Sequence, residues 1–265
     1  MAGTAILTYS IIMSGGDLIG VVFTFFCMLQ VLGPVSGGHM NPAVSLGVYI
    51  REGRSENTSF LIKIILMQFL GAFIGVALCM DALGSSNMAW KQVHPTTRIP
   101  EAWMPTVCPV NPITGACDAE GRALQVGLTI VLATFLFVFI ILMVKTPGHS
   151  PANIGFINCA VIAGALYAFV GCSHLLGGGL NPAAIMAVMF AHDTQRVNSA
   201  NDFQIDNDPS AYWRAYLFCP FIGGLLAGYA NKIHIAILNT KGQVVVQQQE
   251  EVKYKELEAL NSSDA

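Results

Sequence analysis

The sequence predicts an all-α membrane protein built as an inverted repeat, with six transmembrane helices, the first of them short or truncated, and two half-length helices. Three observations predict this fold class. Hydrophobic residues make up 54% of the 265 residues and charged residues only 11%, against roughly 25% charged in soluble domains. Several apolar runs approach or exceed the about 20 residues that a helix needs to cross a bilayer. The tripeptide Asn-Pro-Ala occurs twice, about half a chain apart, each time after a glycine-rich run.

Apolar runs between polar breaks give the predicted elements in chain order. They cover 5–13, 18–35, 43–50, 60–80, 124–144, 154–172, 183–191 and 212–238. We expect 43–50 and 183–191 to be half-helices and the other six runs to be spans, although 5–13 is only about half of a normal span. The predicted organisation is one membrane domain, 1–240, whose repeat halves (about 1–80 and 122–240) are joined by the polar loop 81–121. A polar tail, 241–265, follows.

The two half-helices are predicted from Asn41-Pro42-Ala43 and Asn181-Pro182-Ala183. Proline is favoured at the first position of a helix, and asparagine directly before it is a good N-cap. The apolar stretches that follow are far too short to cross a bilayer. Non-helical backbone at membrane depth must be satisfied by protein or by a water-filled cavity. We therefore expect the two half-helices to meet around a cavity.

The similarity between the halves extends beyond the two motifs. Segment 3–13 (GTAILTYSIIM) resembles 133–143 (ATFLFVFIILM), and 67–79 (MQFLGAFIGVALC) resembles 219–231 (CPFIGGLLAGYAN). Three spans in each half is an odd number, so the second half must enter the membrane upside down. This is the inverted-repeat plan, in which broken helices meet near the bilayer midplane.

Charge and cysteine usage exclude several functions. The formal net charge of −3 indicates no nucleic-acid partner. The segment 1–13 lacks a basic leader, so no cleavable signal peptide is expected. Most cysteines stand singly in apolar runs, where they are expected as small buried hydrophobes and not as metal ligands. Cys108 and Cys117 lie in the polar loop, and the sequence leaves open whether they form a disulfide.

At this point the chain resembles the aquaporin or major intrinsic protein family over essentially its whole length. The segment 36–45 (SGGHMNPAVS) is similar to the first motif of that family, and the paired half-helices are its most specific feature. The resemblance implies a pore within each subunit of a homotetramer in the lipid bilayer. It further implies passive flow of water, with glycerol, urea or ammonia as further candidate solutes. Neither enzyme activity nor a cofactor nor a metal is expected.

The physics of the two motifs supports conduction independently of the family. Each half-helix directs its N-terminus, which carries partial positive charge, at the centre of the pore. Asn41 and Asn181 can each offer a side-chain N–H to a passing oxygen. A single-file water that accepts from both would be oriented so that the proton relay is interrupted, and the helix dipoles would repel cations.

The chain departs from the family at the expected selectivity constriction. The family has an arginine directly after the second motif, and here the matching residue is Ala184. Counting from the two motifs assigns the other constriction positions to Val21, Phe169 and Gly178. A constriction without a cation and with small residues is predicted to be wider and less polar; the opposite outcome is an apolar ring that dewets and closes.

A second departure concerns the scaffold. The family usually carries a buried glutamate in the first and fourth spans, which braces the loops that hold the half-helices. In the fourth span the matching residue is Ile130, and in the first span the position falls just before Met1. The sequence leaves open whether the N-terminus is incomplete or begins with a shortened helix.

Two alternatives to the channel are weighed. The first is a poorly conducting structural or complex-associated member, which fits the loss of the arginine and of the glutamate. The second, an ion-coupled transporter, is disfavoured because the spans contain almost no ionisable groups, which such a site needs near the midplane. The protein is expected to be multi-pass in the plasma membrane or an intracellular membrane. Its tail is expected to be cytosolic, on the resemblance and on its three lysines.

Overall fold

The computed structural model describes residues 1–14, 17–53, 55–83, 123–146, 154–173, 179–198 and 213–263, and these form helices without strands. Eight α-helices occur in this part of the chain, besides a short 3-10 helix at Ser55–Asn57. They are α1 (Ala2–Met13), α2 (Leu18–Ser36), α3 (Pro42–Glu52), α4 (Thr58–Leu83), α5 (Ala123–Val144), α6 (Gly155–Ser173), α7 (Pro182–Asn198) and α8 (Trp213–Ser263). The all-α prediction is confirmed. Gly178, Cys108 and Cys117 lie outside the described residues, as does most of the loop 81–121.

Within the described ranges, five helices are long and apolar enough to cross a membrane, and these are α2, α4, α5, α6 and the first half of α8. Helix α1 has 12 residues, or about 18 Å at 1.5 Å per residue, so it is shorter than the ~30 Å hydrocarbon core. This agrees with the predicted first helix, which is short or truncated. Large apolar side chains cover the outside of the bundle, as at Phe23, Phe60, Leu124 and Phe156. This surface suits contact with the lipid interior of a bilayer, as in an integral multi-pass membrane protein.

Both Asn-Pro motifs begin a helix, as predicted. Asn41 is the N-cap of α3, and its Oδ1 accepts a hydrogen bond from the amide of Ala43 at 2.9 Å. Asn181 is in the same position before α7, and its Oδ1 accepts a hydrogen bond from the amide of Ala183 at 3.2 Å. Helix α3 ends at Gly53, whose φ of 65° is the left-handed conformation that glycine adopts without strain. The half-helices are therefore defined at their start by the same chemistry in both repeats.

Two helices extend further than the apolar pattern indicated. Helix α7 continues to Asn198, through residues predicted as a polar loop, and α8 continues through the polar tail to Ser263. Backbone hydrogen bonds form a helix whatever the polarity of its side chains, and the Gln, Glu, Lys and Leu residues of the tail have high helix propensity. The domain boundary at 240 thus falls within a helix, and it stays a prediction.

Packing between helices repeats itself across the two halves. If α1 to α4 are matched with α5 to α8, the main contacts between α-helices in one half have counterparts in the other. Helix α1 packs on α4 as α5 packs on α8, and α3 packs on α8 as α7 packs on α4. The pairs α2–α6 and α3–α7 join equivalent helices directly. Such a contact pattern is what a pseudo-twofold relation between two repeats produces.

Close approach of backbones holds the half-helix α3 in the bundle. Gly224 on α8 lies against the carbonyl of Ala43, and Gly228 lies against the carbonyl of Gly47, so that a Cβ at either position would overlap the neighbouring chain. Small residues allow helices in membranes to approach this closely and to gain van der Waals contact. Helix α8 of the second repeat therefore holds the half-helix α3 of the first repeat in place.

Candidate functional site

The two Asn-Pro-Ala motifs meet and are joined by a reciprocal pair of hydrogen bonds. Asn41 Nδ2 donates to the carbonyl of Leu180 at 3.0 Å, and Asn181 Nδ2 donates to the carbonyl of Met40 at 2.9 Å. Each acceptor is the residue directly before the other motif. The structure thus brings Asn41 and Asn181, with Pro42, Ala43, Pro182 and Ala183 behind them, to one point where α3 and α7 face each other.

Counting donors shows what this junction leaves available. A side-chain amide has two N–H groups and one oxygen. In each asparagine the oxygen caps its own helix and one N–H binds the opposite loop, so one N–H remains for a passing molecule. Helices α3 and α7 both begin at this junction, so their N-termini add the partial positive charge of two helix dipoles. The junction can therefore donate hydrogen bonds to an oxygen and repel a cation.

A small cavity of ≈ 20 Å³ adjoins Asn41, large enough for about one water molecule. Its wall is mostly apolar, and the described residues that line it are Phe25, Leu29, Gly38, Met40, Asn41, Val44, Ile141, Lys145 and Ile162. Apart from the amide of Asn41 and the ammonium group of Lys145, this wall offers few binding partners, so a small molecule would be held weakly.

The loop before the first motif is fixed by side chains from two other helices. Gly37 and Gly38 have φ of 74° and 66°, the left-handed region that favours glycine. Lys145, just beyond α5, donates from Nζ to the carbonyl of Gly37 at 2.7 Å. Gln68 on α4 donates from Nε2 to the carbonyl of His39 at 2.7 Å and to Ser45 Oγ at 3.0 Å. Gln68 therefore braces this loop and the first turn of α3.

Sequence reasoning missed both Gln68 and Lys145 as residues that hold this loop. Gln68 is an amide inside the apolar run 60–80, and its exposed fraction is 1%. A buried side-chain amide needs hydrogen-bond partners, so its presence in that run was the available signal.

At Ile130, where the family has a glutamate, the side chain is fully buried in an apolar cluster with Val126, Ile185, Met189 and Tyr216. Hydrophobic packing occupies that position instead of a carboxylate.

Three of the four predicted constriction residues lie in or against the buried core of the bundle. Val21 and Ala184 belong to one buried cluster, Phe169 packs against it, and Gly178 lies outside the described residues. The exposed fractions are 6% for Val21 and 1% for Ala184. The amide of Ala184 also donates to Asn181 Oδ1 at 3.4 Å. That these residues set the bore of a pore remains a prediction.

His39 lies beside two cations in a partly buried setting. The pKa of His39 is lowered from 6.5 to about 4, mainly by burial and further by the positive charges of Lys145 and Arg51. His39 is therefore neutral at physiological pH. Burial, and then Arg51, also lowers the pKa of Lys145.

The low pKa of His39 predicts a loss of stability in acid. Below pH 6.5 the unfolded chain binds a proton at this histidine, while the folded protein stays neutral until about pH 4. Between those values the free energy of unfolding should fall by up to about 3 kcal/mol. Thermal unfolding in detergent at several pH values, for the wild type and for His39→Gln, isolates this contribution. Identical pH slopes for both proteins would contradict the assignment.

The fold and the junction together define an integral membrane protein of two inverted repeats whose half-helices are joined through their capping asparagines. A family model described as "Major intrinsic protein" matches residues 10–231. The chain is 24% identical over 231 residues to "Glycerol uptake facilitator protein-like 6" of Lactiplantibacillus plantarum, covering 85% of this chain and 89% of that protein. It is 22% identical over 216 residues to "Probable aquaporin AqpM" of Archaeoglobus fulgidus, covering 80% and 73%.

A solved structure supports the same fold. The aquaglyceroporin from Plasmodium falciparum superimposes with a TM-score of 0.59 at 18% sequence identity, covering 90% of this chain and 97% of that one. The chain therefore belongs to the major intrinsic protein family. Proteins of this family are channels for water or small solutes and not enzymes, so the class of function predicted from the sequence is confirmed.

Proposed function

We propose that this protein is a channel for the passive flow of water and small uncharged solutes, such as glycerol, urea or ammonia, down their gradients. The observation that carries the proposal is the reciprocal bonding of Asn41 and Asn181. It fixes two amide groups at the meeting point of two helix N-termini and leaves one N–H on each for a permeating oxygen. The names of the relatives, which include a glycerol uptake facilitator and an aquaporin, agree with this solute class.

The mechanism follows from these groups. A water molecule or a solute hydroxyl accepts hydrogen bonds from Asn41 and Asn181 and is oriented by them as it passes. Cations meet the positive ends of two helix dipoles and lack a compensating acceptor there. The apolar wall beside Asn41 binds little, so transit is fast. No bond is made or broken, and no cofactor takes part.

We further propose that Val21, Phe169, Gly178 and Ala184 set the bore at the constriction. Ala184 supplies neither charge nor a side-chain donor at the position where the family has arginine, so discrimination against larger solutes should be weak. The protein is proposed to act as a homotetramer among membrane lipids, in the plasma membrane or an intracellular membrane, with the tail 241–265 in the cytosol.

A second candidate function is a poorly conducting structural or complex-associated member of the family. The observation that favours it is the burial of Val21 and Ala184, two of the residues assigned to the constriction, since both are almost fully buried. The two candidates differ in one measurement. Light scattering of proteoliposomes under an osmotic gradient should show faster shrinkage than in empty vesicles if the protein is a water channel. Equal rates would favour the second candidate.

Substitutions at the constriction test which residues set the bore. Ala184→Arg should reduce glycerol and urea flux while some water flux remains, because a guanidinium narrows the passage and donates to the solute. Phe169→Ala should act oppositely and raise solute flux, since it removes a large side chain. The flux of each solute is measured in the same vesicles by light scattering. If neither substitution changes the ratio of solute to water flux, the constriction lies elsewhere.

A further inference from the structure

Lys145 places a charged side chain in the lining of the cavity beside Asn41. Among the described residues that line the cavity beside Asn41, Lys145 is the only one that carries a charge. Its Nζ is fixed by the hydrogen bond to the carbonyl of Gly37 at 2.7 Å, in the loop that leads to the first motif. This hydrogen bond holds the ammonium group in the lining of the cavity, next to the loop that leads to Asn41.

The surroundings of Lys145 add positive charge and do little to cancel it. Arg51, at the end of α3, directs Nη1 at the carbonyl of Leu142 at 3.5 Å, one turn before Lys145. Glu52 is the nearby carboxylate, and its Oε1 lies 3.9 Å from Arg51 Nη2, so it is shared with that arginine. Within the described part of the chain, no carboxylate lies within 4.0 Å of Lys145 Nζ. Around Lys145, in the described part of the chain, two cationic groups (Arg51 and Lys145) thus stand against one carboxylate (Glu52).

Such an arrangement acts differently on ions and on neutral molecules. A cation in the cavity lies beside an ammonium group without a close counter-ion, and in a partly buried setting this repulsion is much less screened than in water. A neutral solute meets no such barrier, and its oxygen can accept one of the two remaining N–H groups of Lys145. Rings or single residues of fixed charge determine selectivity in other pores by the same means.

We infer that Lys145 is a specificity-determining residue that repels cations at the end of the pore carrying Arg51. It supplies the fixed positive charge that Ala184 does not supply at the constriction. The inference rests on the proposed function, because a barrier to cations matters only if a pore is open. Lys145 is thus a source of cation repulsion besides the two helix dipoles, and it can be substituted without changing either Asn-Pro-Ala motif.

Lys145→Gln is the informative variant, because glutamine can still donate a hydrogen bond to Gly37 but carries no charge. Lys145→Arg keeps the charge, and Lys63→Gln removes a lysine from an exposed position on α4. Proteoliposomes of each protein are tested for water flux by light scattering, and for potassium and proton leak with voltage-clamping ionophores and a pH-sensitive dye. We expect the cation leak to rise about tenfold or more in Lys145→Gln and to stay at the wild-type level in Lys145→Arg and Lys63→Gln.

The outcomes separate this inference from the function on which it rests. If vesicles with the wild type shrink no faster than empty ones, the proposed function is wrong. If the wild type conducts water but Lys145→Gln leaks cations no faster than the wild type, only the role of Lys145 is wrong. An equal rise in Lys145→Gln and Lys145→Arg would also overturn it, because the loop geometry and not the charge would then be responsible.

Discussion

Gly224→Ala is expected to destabilise the protein strongly, by about 3 kcal/mol, and to reduce water flux. The added Cβ would overlap the backbone carbonyl of Ala43 in the first turn of α3. Overpacking against a flexible side chain costs about 1–3 kcal/mol, and a backbone carbonyl cannot move aside as easily. The half-helix would be displaced together with Asn41. Thermal unfolding in detergent and light scattering in vesicles measure the two effects.

Gly164→Ala is the matched control for that substitution. Gly164 is exposed on α6, and a Cβ there would meet no atom within 4 Å. The same chemical change should leave the stability unchanged or raise it slightly, since glycine is less favourable than alanine inside a helix by about 0.5–1 kcal/mol. A similar loss of stability in both variants would show that the contact between α8 and α3 is not the cause.

Asn41→Asp should turn the junction from a barrier to cations into a path for them. Aspartate keeps the oxygen that caps α3 but loses the donor to the carbonyl of Leu180. It also places a negative charge where two helix N-termini otherwise repel cations. We expect potassium leak in proteoliposomes to rise on the order of tenfold or more, and the free energy of unfolding to fall by about 1–3 kcal/mol.

The control for this change is Asn239→Asp, at an exposed position on α8. It adds the same charge outside the junction, so both the cation leak and the stability should remain close to those of the wild type. An Asn41→Asp protein that conducts water normally and leaks no more potassium than this control would contradict the electrostatic role of the junction.

Much of the fold was predictable because its signals are local. Apolar runs gave the spans, and Asn41 and Asn181 before proline marked the starts of α3 and α7. The ends of α7 and α8 were not predictable from hydropathy, because the helices continue into polar residues. Gln68 and Lys145 were missed for a different reason. Each acts on the loop 37–40 from a distant part of the chain, and a single sequence gives no sign of which buried amide or lysine reaches it.

The sequence by itself determined the membrane class, the two repeats, the two half-helices and their family, because length, composition and capping residues act within a few turns of chain. The tertiary structure alone decided that each asparagine binds the loop of the other motif, that Gly224 seats α3, and that Lys145 stands at the cavity. These contacts join residues far apart in the chain. They exist only when the two repeats fold against each other and their backbones come close enough to touch.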